Sequence, residues 1–299
     1  MPAEGMPWLQ RADLLTYEEL TRLARVCVEC GVTGIRLTGG EPTVRADLPA
    51  LVRMLHGIAP DLDLSLTTNA LKLPELAGPL RDAGLKRVNI SLDTLSRERF
   101  HRLARRDRLA ETLAGIEAAR DAGFSPIKIN AVLVRGHNED EAVGLARWAR
   151  DGGYELRFIE WMPLDFGHEW DRSKLVSADE ILAQVGAEFP LELEEGQDPS
   201  APATVYRYRD GRGRVGVIAS VTRPFCGRCD RIRLTADGQI RTCLFALTEY
   251  DLRGLMRGGC TDDDLEGRLR EAVLRKQPGH LINRPGFVQP ARGMSAIGG

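Results

Sequence analysis

Leu62-Asp63-Leu64-Ser65-Leu66-Thr67-Thr68-Asn69 decides the fold class of this chain. Apolar and polar residues alternate at period two and the run closes on small polar side chains, the pattern of a strand entering a loop. Reading outward, comparable segments recur on both sides. Upstream lies Gly34-Ile35-Arg36-Leu37-Thr38, running into Gly39-Gly40-Glu41-Pro42. Downstream come Arg87-Val88-Asn89-Ile90-Ser91-Leu92-Asp93, then Ile127-Lys128-Ile129-Asn130-Ala131-Val132-Leu133-Val134, then Tyr154-Glu155-Leu156-Arg157-Phe158-Ile159-Glu160-Trp161-Met162. Helical stretches separate them: Leu48, Leu51, Val52 and Leu55 at helical spacing, a segment ending at Gly84, Arg108 to Ala122, and Glu139 to Arg150. A further helix precedes the first strand, opened by a Thr16/Glu19 capping box and closed by Gly31. Five strands alternating with helices predict parallel βαβ units, either a (β/α) barrel or a doubly wound sheet. In both, chemistry collects at the C-terminal strand ends. Thr38 to Glu41, Thr67 to Asn69, Ser91 to Asp93 and Glu160 to Met162 are therefore expected to ring one mouth.

After Met162 the rhythm breaks. Ser177-Ala178-Asp179-Glu180 caps a short helix, Glu192 to Ala203 reads as a mobile surface loop, and Asp210-Gly211-Arg212-Gly213 turns a hairpin between Thr204–Tyr208 and Arg214–Ile218. Asp251 to Lys276 reads as a polar helical pair, and Arg284 to Gly299 as a tail ending in Ile297-Gly298-Gly299. Composition is ordinarily globular: 299 residues, 43% hydrophobic and 28% charged. A net charge of −2 provides no global field to draw in nucleic acid or an anionic membrane. No run reaches a membrane span, and Met1-Pro2-Ala3-Glu4-Gly5 has no secretion signature, so six cysteines point to reduced cytoplasm.

Three of those cysteines form the strongest local signal. Cys226 and Cys229 flank Gly227-Arg228, and Cys243 follows after thirteen intervening residues, an insert whose Asp237-Gly238 predicts a hairpin. The hairpin returns Cys243 to the first pair. Three thiols cannot pair off, which favours a metal: zinc completed by a fourth ligand, His280 or Cys260, or an iron–sulfur cluster with one iron left open. Arg231 and Arg233 share the face beside the thiols, while Ile232 and Leu234 take the other. Two guanidiniums on one face suit phosphate. Gly39-Gly40-Glu41-Pro42 offers bare backbone beside a carboxylate, fit for an amino group or a ribose hydroxyl. Lys128, in an apolar strand, is either an edge residue or a cation directed into the barrel. Cys27 and Cys30 lie on the Leu20/Leu23 face at a helix C-terminus, where the dipole disfavours a thiolate, and read as core.

Ile35 to Pro42, Leu66 to Asn69, Asn89 to Asp93, Arg157 to Met162, the cysteine trio and the Gly298-Gly299 terminus together resemble the GTP 3′,8-cyclases, radical S-adenosylmethionine enzymes that open molybdenum cofactor biosynthesis. The similarity runs in order along the whole chain. It implies an incomplete (β/α)6 TIM-like barrel with two 4Fe–4S clusters, the barrel occupying 1–165 and a C-terminal hairpin and helical extension 166–299. By position, Gly40, Ser91 and Met162 contact S-adenosylmethionine. Arg36, Thr67, Lys128, Arg231, Ile232 and Arg233 contact GTP, and Cys226, Cys229 and Cys243 hold the second cluster, whose open iron takes the guanine. The implied radical abstracts the ribose 3′ hydrogen, and C3′ attacks C8. The implied partners are GTP, a downstream cyclic pyranopterin monophosphate synthase and a second copy of the chain.

One departure bears on activity. The family's first cluster needs a CxxxCxxC loop, which this chain lacks, and Cys27/Cys30 have the wrong spacing. The expectation is a fragment whose first strand and first cluster ligands lie upstream of Met1, and which as written is inactive. A lesser departure is Ala70, where the family has glycine. Two other readings stand beside the cyclase: a non-catalytic GTP and iron–sulfur binding remnant, and a zinc-binding α/β protein.

Overall fold

The structure, a computed structural model, describes residues 9–165 and 167–298; Met1 to Gly5 and Gly299 of the sequence reading lie outside the described residues. Helix α1 (Tyr17–Glu29) opens as expected, with Thr16 and Glu19 exchanging side-chain-to-backbone hydrogen bonds in a capping box. The alternation then runs through β1 (Gly34–Leu37), α2 (Leu48–His56), β2 (Asp63–Thr68), α3 (Leu73–Asp82), β3 (Arg87–Ser91), α4 (Arg97–Ala104), α5 (Leu109–Asp121), β4 (Ile127–Leu133), α6 (Ala142–Asp151) and β5 (Glu155–Glu160). After α7 (Ala178–Glu188) come β6 (Leu191–Leu193), β7 (Thr204–Tyr208) and β8 (Arg214–Ile218). The chain ends with β9 (Arg233–Leu234), β10 (Gln239–Arg241), β11 (Tyr250–Asp251), α8 (Arg253–Arg257), α9 (Asp262–Leu274) and α10 (Met294–Ile297).

Strand order in the main sheet is β1-β2-β3-β4-β5-β8-β7-β6. Neighbours from β1 to β5 pair in parallel, and β8 pairs in parallel with β5. The order from β1 to β5 never reverses. With right-handed crossovers, an unreversed order puts every connecting helix on the same face, as in a barrel, whereas a doubly wound sheet reverses at a switch point. Of the two topologies open from sequence, the singly wound one is found. The hairpin of β7 and β8 was expected outside the barrel. Instead it extends the sheet, so hydrogen bonding runs unbroken past residue 165.

Alternation along each strand explains the layering. Leu64, Leu66, Val88, Ile90, Ile129, Leu156, Phe158, Val215 and Val217 are almost fully buried. They share one apolar cluster with Leu51 and Val52 of α2, Leu80 of α3, Ile116 of α5, Leu145 of α6 and Ile181 of α7. Each such side chain removed from water contributes roughly 2 kcal/mol, which holds the helices to this face alone. The intervening residues, among them Arg36, Ser65, Thr67, Asn89, Lys128, Asn130 and Arg157, form the opposite face and are mostly polar. A parallel sheet covered by helices on both faces reads as continuous apolar strands; this one keeps a polar face open for a ligand.

Two loops differ from the sequence reading. Glu192 and Leu193 belong to β6, and Gln197 ties the following loop by bonds to Glu194 O, Val205 O and Val205 N. The stretch expected to be mobile is thus braced. Ala70 is fully buried with φ of 67°, a left-handed conformation that glycine adopts without strain. No helix among the described residues is long and apolar enough to cross a membrane.

Candidate functional site

Strand register stacks the polar face into tiers. Arg36, Ser65 and Arg87 form one row; Thr67, Asn89, Lys128 and Glu155 the next; Ser91, Asn130, Arg157 and Gly216 the third. Lys128 therefore points into the sheet's polar face rather than off an edge, and it is only 9% exposed. Glu155 faces it at 3.8 Å and also takes both Nε and a terminal nitrogen of Arg157, at 2.7 and 2.6 Å. Asp63 holds Arg87 through both carboxylate oxygens. Asn89 donates to Thr67 Oγ1 at 3.4 Å, and Arg36 Nε to Ser65 Oγ at 3.4 Å.

Cations outnumber anions here. Burial lowers the Arg36 pKa, and the charges of Arg157, Arg87 and Arg231 lower it further, only partly opposed by Asp63. Arg231 comes from the cysteine segment, so that segment and the sheet present their cations to one another. Burial, followed by Arg157, pushes Lys128 down to about 8 against the pull of Glu155. Like charges held this close repel, and an anion placed among them would relieve that repulsion. Arg87 and Arg157 were missed as site residues in the sequence reading. The signal was available: each sits at an alternate position of a strand, flanked by apolar residues that point to the other face, Val88 beside Arg87 and Leu156 and Phe158 beside Arg157.

Carboxylates at the strand ends do something other than expected. Glu41 was read as a ligand group beside Gly39-Gly40. Its Oε1 accepts from Thr43 N, Thr43 Oγ1 and Thr68 Oγ1, and its Oε2 from Asn69 N, so it is spent on tying β1 to β2. Asp93 likewise accepts from Val132 N of β4, and burial pushes its pKa up to about 6. Glu160 grips the loop after β8 through Val221 and Thr222. Each carboxylate satisfies donors that the end of a parallel ladder leaves unpaired. Ser91 stays exposed at the end of β3, and Met162 is half-buried.

The cysteine segment folds as its Asp-Gly turn predicted. β9 and β10 pair antiparallel about Gly238, and Ile232 and Leu234 pack into an apolar cluster with Leu15 and Leu23, opposite Arg231 and Arg233. The Ile232 side chain points away from the cations, which leaves its backbone for any substrate contact. Burial acts upward on the Cys229 thiol, but Arg231 at 3.2 Å and the charge of Lys276, whose Nζ lies 3.7 Å from the sulfur, set it below its ordinary value. Cys226 is raised, by burial first and then by the charges of Cys243 and Cys229. Arg233 is pushed down to about 10 by burial and Arg231, and stays cationic at neutral pH. Among the described residues, no three His, Cys, Asp or Glu side chains stand close enough to grip a single metal ion. The zinc alternative had named His280 and Cys260. Both ring nitrogens of His280 are engaged, with Ser220 O and Ile282 N, and Cys260 packs in a different apolar cluster from Cys243.

The C-terminal tail crosses this site. Ser295 O would lie 3.8 Å from a Cβ at Gly40, and Arg233 Nε donates to Gly298 O at 3.3 Å. A Cβ at Gly298 would fall 2.3 Å from Thr38 Oγ1 at the end of β1, and φ there is 76°, so only glycine fits. Arg292 anchors the tail, bonding both oxygens of Asp237 at 3.0 and 2.8 Å and Glu249 at 3.0 Å.

Comparison with known proteins first gives the class. Residues 4–149 match the Radical SAM superfamily and residues 154–282 match Molybdenum Cofactor Synthesis C, so the polar sheet face belongs to a radical S-adenosylmethionine protein. Over 300 residues the chain is 49% identical to the GTP 3′,8-cyclase of Mycobacterium sp. (strain KMS), covering 100% of this chain and 86% of that protein. Over 301 residues it is 49% identical to the GTP 3′,8-cyclase of Streptomyces coelicolor (strain ATCC BAA-471 / A3(2) / M145), covering 100% and 88%. Among solved structures, a radical SAM methyltransferase from Sphaerobacter thermophilus superposes with TM-score 0.45 at 22% identity, over 58% of this chain and 54% of that one. The chain belongs to the GTP 3′,8-cyclase family.

Membership implies a 4Fe–4S cluster and S-adenosylmethionine. Cys226, Cys229 and Cys243 fit a cluster: all three stand half-buried, Cys226 lies within range of the charges of the other two, and Arg231 and Lys276 stand beside the Cys229 sulfur to stabilise its thiolate. Cys27 and Cys30 do not fit one. They pack against the Leu15/Leu23 cluster, and burial pushes the Cys27 thiol up to about 11.

Proposed function

We propose that this chain serves the conversion of GTP to 3′,8-cyclo-7,8-dihydro-GTP, the first step of molybdenum cofactor biosynthesis, whose product feeds cyclic pyranopterin monophosphate synthase. One observation carries the reading. Arg36, Arg87, Lys128 and Arg157 on the polar sheet face and Arg231 on the cysteine segment form a single cationic group with too few carboxylates to neutralise it. A nucleoside triphosphate supplies the missing negative charge, and the guanidiniums supply directional donors for its oxygens. In this reading Arg36, Thr67, Lys128, Arg231 and Arg233 hold GTP, with Ile232 contributing main chain. Gly40, Ser91 and Met162 line the S-adenosylmethionine side at the ends of β1, β3 and β5.

Cys226, Cys229 and Cys243 would hold a 4Fe–4S cluster. When bound, that cluster would supply an open iron to anchor the guanine; the radical would come from S-adenosylmethionine on accepting one electron from the family's first cluster, whose CxxxCxxC ligands are not among the residues of this chain. The chain's own part is positional. The triphosphate is clamped at the sheet so that the ribose and the purine are held together for an intramolecular bond, worth several powers of ten in rate. The Gly298 tail over Thr38 and Gly40 shuts water out of a site where a carbon radical must survive. In functional terms the chain divides near residue 165, the barrel presenting S-adenosylmethionine and phosphates, the remainder presenting the purine.

The test is anaerobic reconstitution followed by incubation with GTP, S-adenosylmethionine and dithionite. As given, without a CxxxCxxC loop, the chain is expected to bind GTP and to hold iron at the trio without turnover; with a family CxxxCxxC segment supplied at its N-terminus, the expected product is an isomer of GTP, unchanged in mass and lacking the guanine absorption band. GTP binding and iron at the trio with no such product in the supplemented protein would assign the non-catalytic binding reading instead. One colourless zinc per chain would overturn the cluster assignment.

A further inference from the structure

Behind the three thiols runs a chain of hydrogen bonds that the proposed function leaves unused. It begins at Glu160, the last residue of β5 and only 1% exposed. Its Oε1 accepts from Ala178 N at 2.9 Å and Thr222 Oγ1 at 2.5 Å, and its Oε2 from Val221 N and Thr222 N, both at 2.8 Å. Four donors on one buried carboxylate lock the loop after β8 to the end of β5. The same loop is held from its other side. His280 Nε2 donates to Ser220 O at 2.8 Å, and Asn283 Nδ2 donates to Val221 O at 2.7 Å. His280 Nδ1 accepts from Ile282 N at 3.2 Å, which puts the ring proton on Nε2 and leaves no lone pair for a metal.

What His280 touches next are the cysteines. Its backbone N–H faces the Cys226 sulfur. The preceding residue is Gly279, where a Cβ would lie 3.4 Å from Cys226 Cβ and 3.7 Å from its sulfur. On the other side, the ring of Phe245 packs on His280 with centroids 5.3 Å apart, and Phe245 N donates to Cys243 Sγ at 3.4 Å. His280 thus stands at the supports of two of the three thiols, its backbone N–H at Cys226 and its ring against Phe245, whose N–H meets Cys243. Through Ser220 and Glu160 it connects them to the strand that leads, two residues on, to Met162.

We propose that His280 is a positioning residue for the cysteine trio, a strut that, with Glu160, fixes Cys226 and Cys243 relative to the end of β5. The inference depends on the reading that the trio holds a cluster. Its logic is that of supports around metal ligands, where a second layer of hydrogen bonds sets where the ligands stand and how tightly they hold.

The test uses the full chain, reconstituted anaerobically, in four forms: the parent, the triple variant Cys226→Ser/Cys229→Ser/Cys243→Ser, His280→Phe and His280→Gln. Phenylalanine keeps the packing on Phe245 and removes both ring hydrogen bonds; glutamine restores a donor at the position of Nε2. Iron retained after chelator challenge and the electron paramagnetic resonance spectrum of the reduced protein are compared, with thermal unfolding as a check on folding. Iron above that of the triple variant is expected to drop about tenfold in retention in His280→Phe, with altered g-values, and to recover in His280→Gln. Glu160→Gln acts on the strut from its far end and is expected to move the spectrum the same way, which keeps the proposal testable should His280→Phe not fold. If the folded His280 and Glu160 variants keep the parent's iron and spectrum, the strut is wrong while the cluster reading stands. If the parent retains no more iron than the triple variant, the cluster reading itself falls and takes the strut with it.

Discussion

Lys128 shows how one residue's chemistry is set by its neighbours. Burial and Arg157 hold its pKa at about 8, with Glu155 opposing them. A base whose folded pKa is lowered carries its full charge below that value and loses it above. GTP affinity is therefore expected to fall several-fold between pH 7 and pH 9, as a cationic contact disappears. Binding titrations should show that Lys128→Arg flattens this profile, because a guanidinium keeps its proton throughout; an equally steep profile in that variant would assign the titration to another group. Gly216 matters for the opposite reason, its emptiness. A Cβ there would stand 3.3 Å from Arg157 Cγ and 3.4 Å from Ala203 Cβ, so the Arg157 stem occupies the space a side chain would take. Gly216→Ala is expected to weaken GTP binding by about fivefold, roughly 1 kcal/mol, with little change in melting temperature. Calorimetry on the reconstituted protein reads it, and unchanged affinity would mean that Arg157 has room to move.

At the scale of elements, the tail and the strand ends carry the predictions. α10 is too short to hold itself in place; Arg292, through Asp237 and Glu249, and Arg233, through Gly298 O, hold it across β1. Arg292→Ala is expected to free the tail at a cost to global stability of about 1 kcal/mol, since the pair is partly exposed. Limited proteolysis should then cut within 293–298 first, and GTP affinity measured by calorimetry should fall. Protease resistance equal to the parent's would show that the packing of Ile297 alone suffices. The strand-end carboxylates teach a related point. Glu41, Asp93 and Glu160 stand where ligand-binding groups are sought in parallel α/β folds, and all three are used to bind one strand end to the next.

For the whole molecule, the decisive feature is that one sheet serves both halves. β8 pairs with β5, so the polar face presented by β1 to β5 continues into the segment that leads to the cysteines. Stability is nonetheless uneven: the helix-covered sheet has a large apolar cluster, whereas the hairpin of β9 and β10 rests on a smaller one. Removing iron with a chelator is expected to lower hydrogen-exchange protection in residues 226–243 and 276–283, while β2, β3 and β4 keep theirs. Protection lost evenly across the chain would contradict a cluster confined to the cysteine segment.

Period-two alternation at Leu62–Asn69 and its counterparts was enough for parallel βαβ units, because side chains on a strand must point to opposite faces whatever surrounds them. The Asp237-Gly238 turn and the Thr16 capping box were legible for the same reason, being interactions among residues a few positions apart. Partners distant in sequence were not. Whether Lys128 faced water or the interior depended on Glu155 and Arg157 arriving beside it from β5. Glu41 looked like a ligand group until Thr68 and Asn69 claimed its oxygens, and His280 looked like a metal ligand until the carbonyl of Ser220, sixty residues away, accepted a hydrogen bond from its ring. The residues that carry charge and thiols were determined by the sequence alone. Which of them remain available to a substrate was decided by tertiary structure, since a buried polar group binds whatever partner the fold brings to it first.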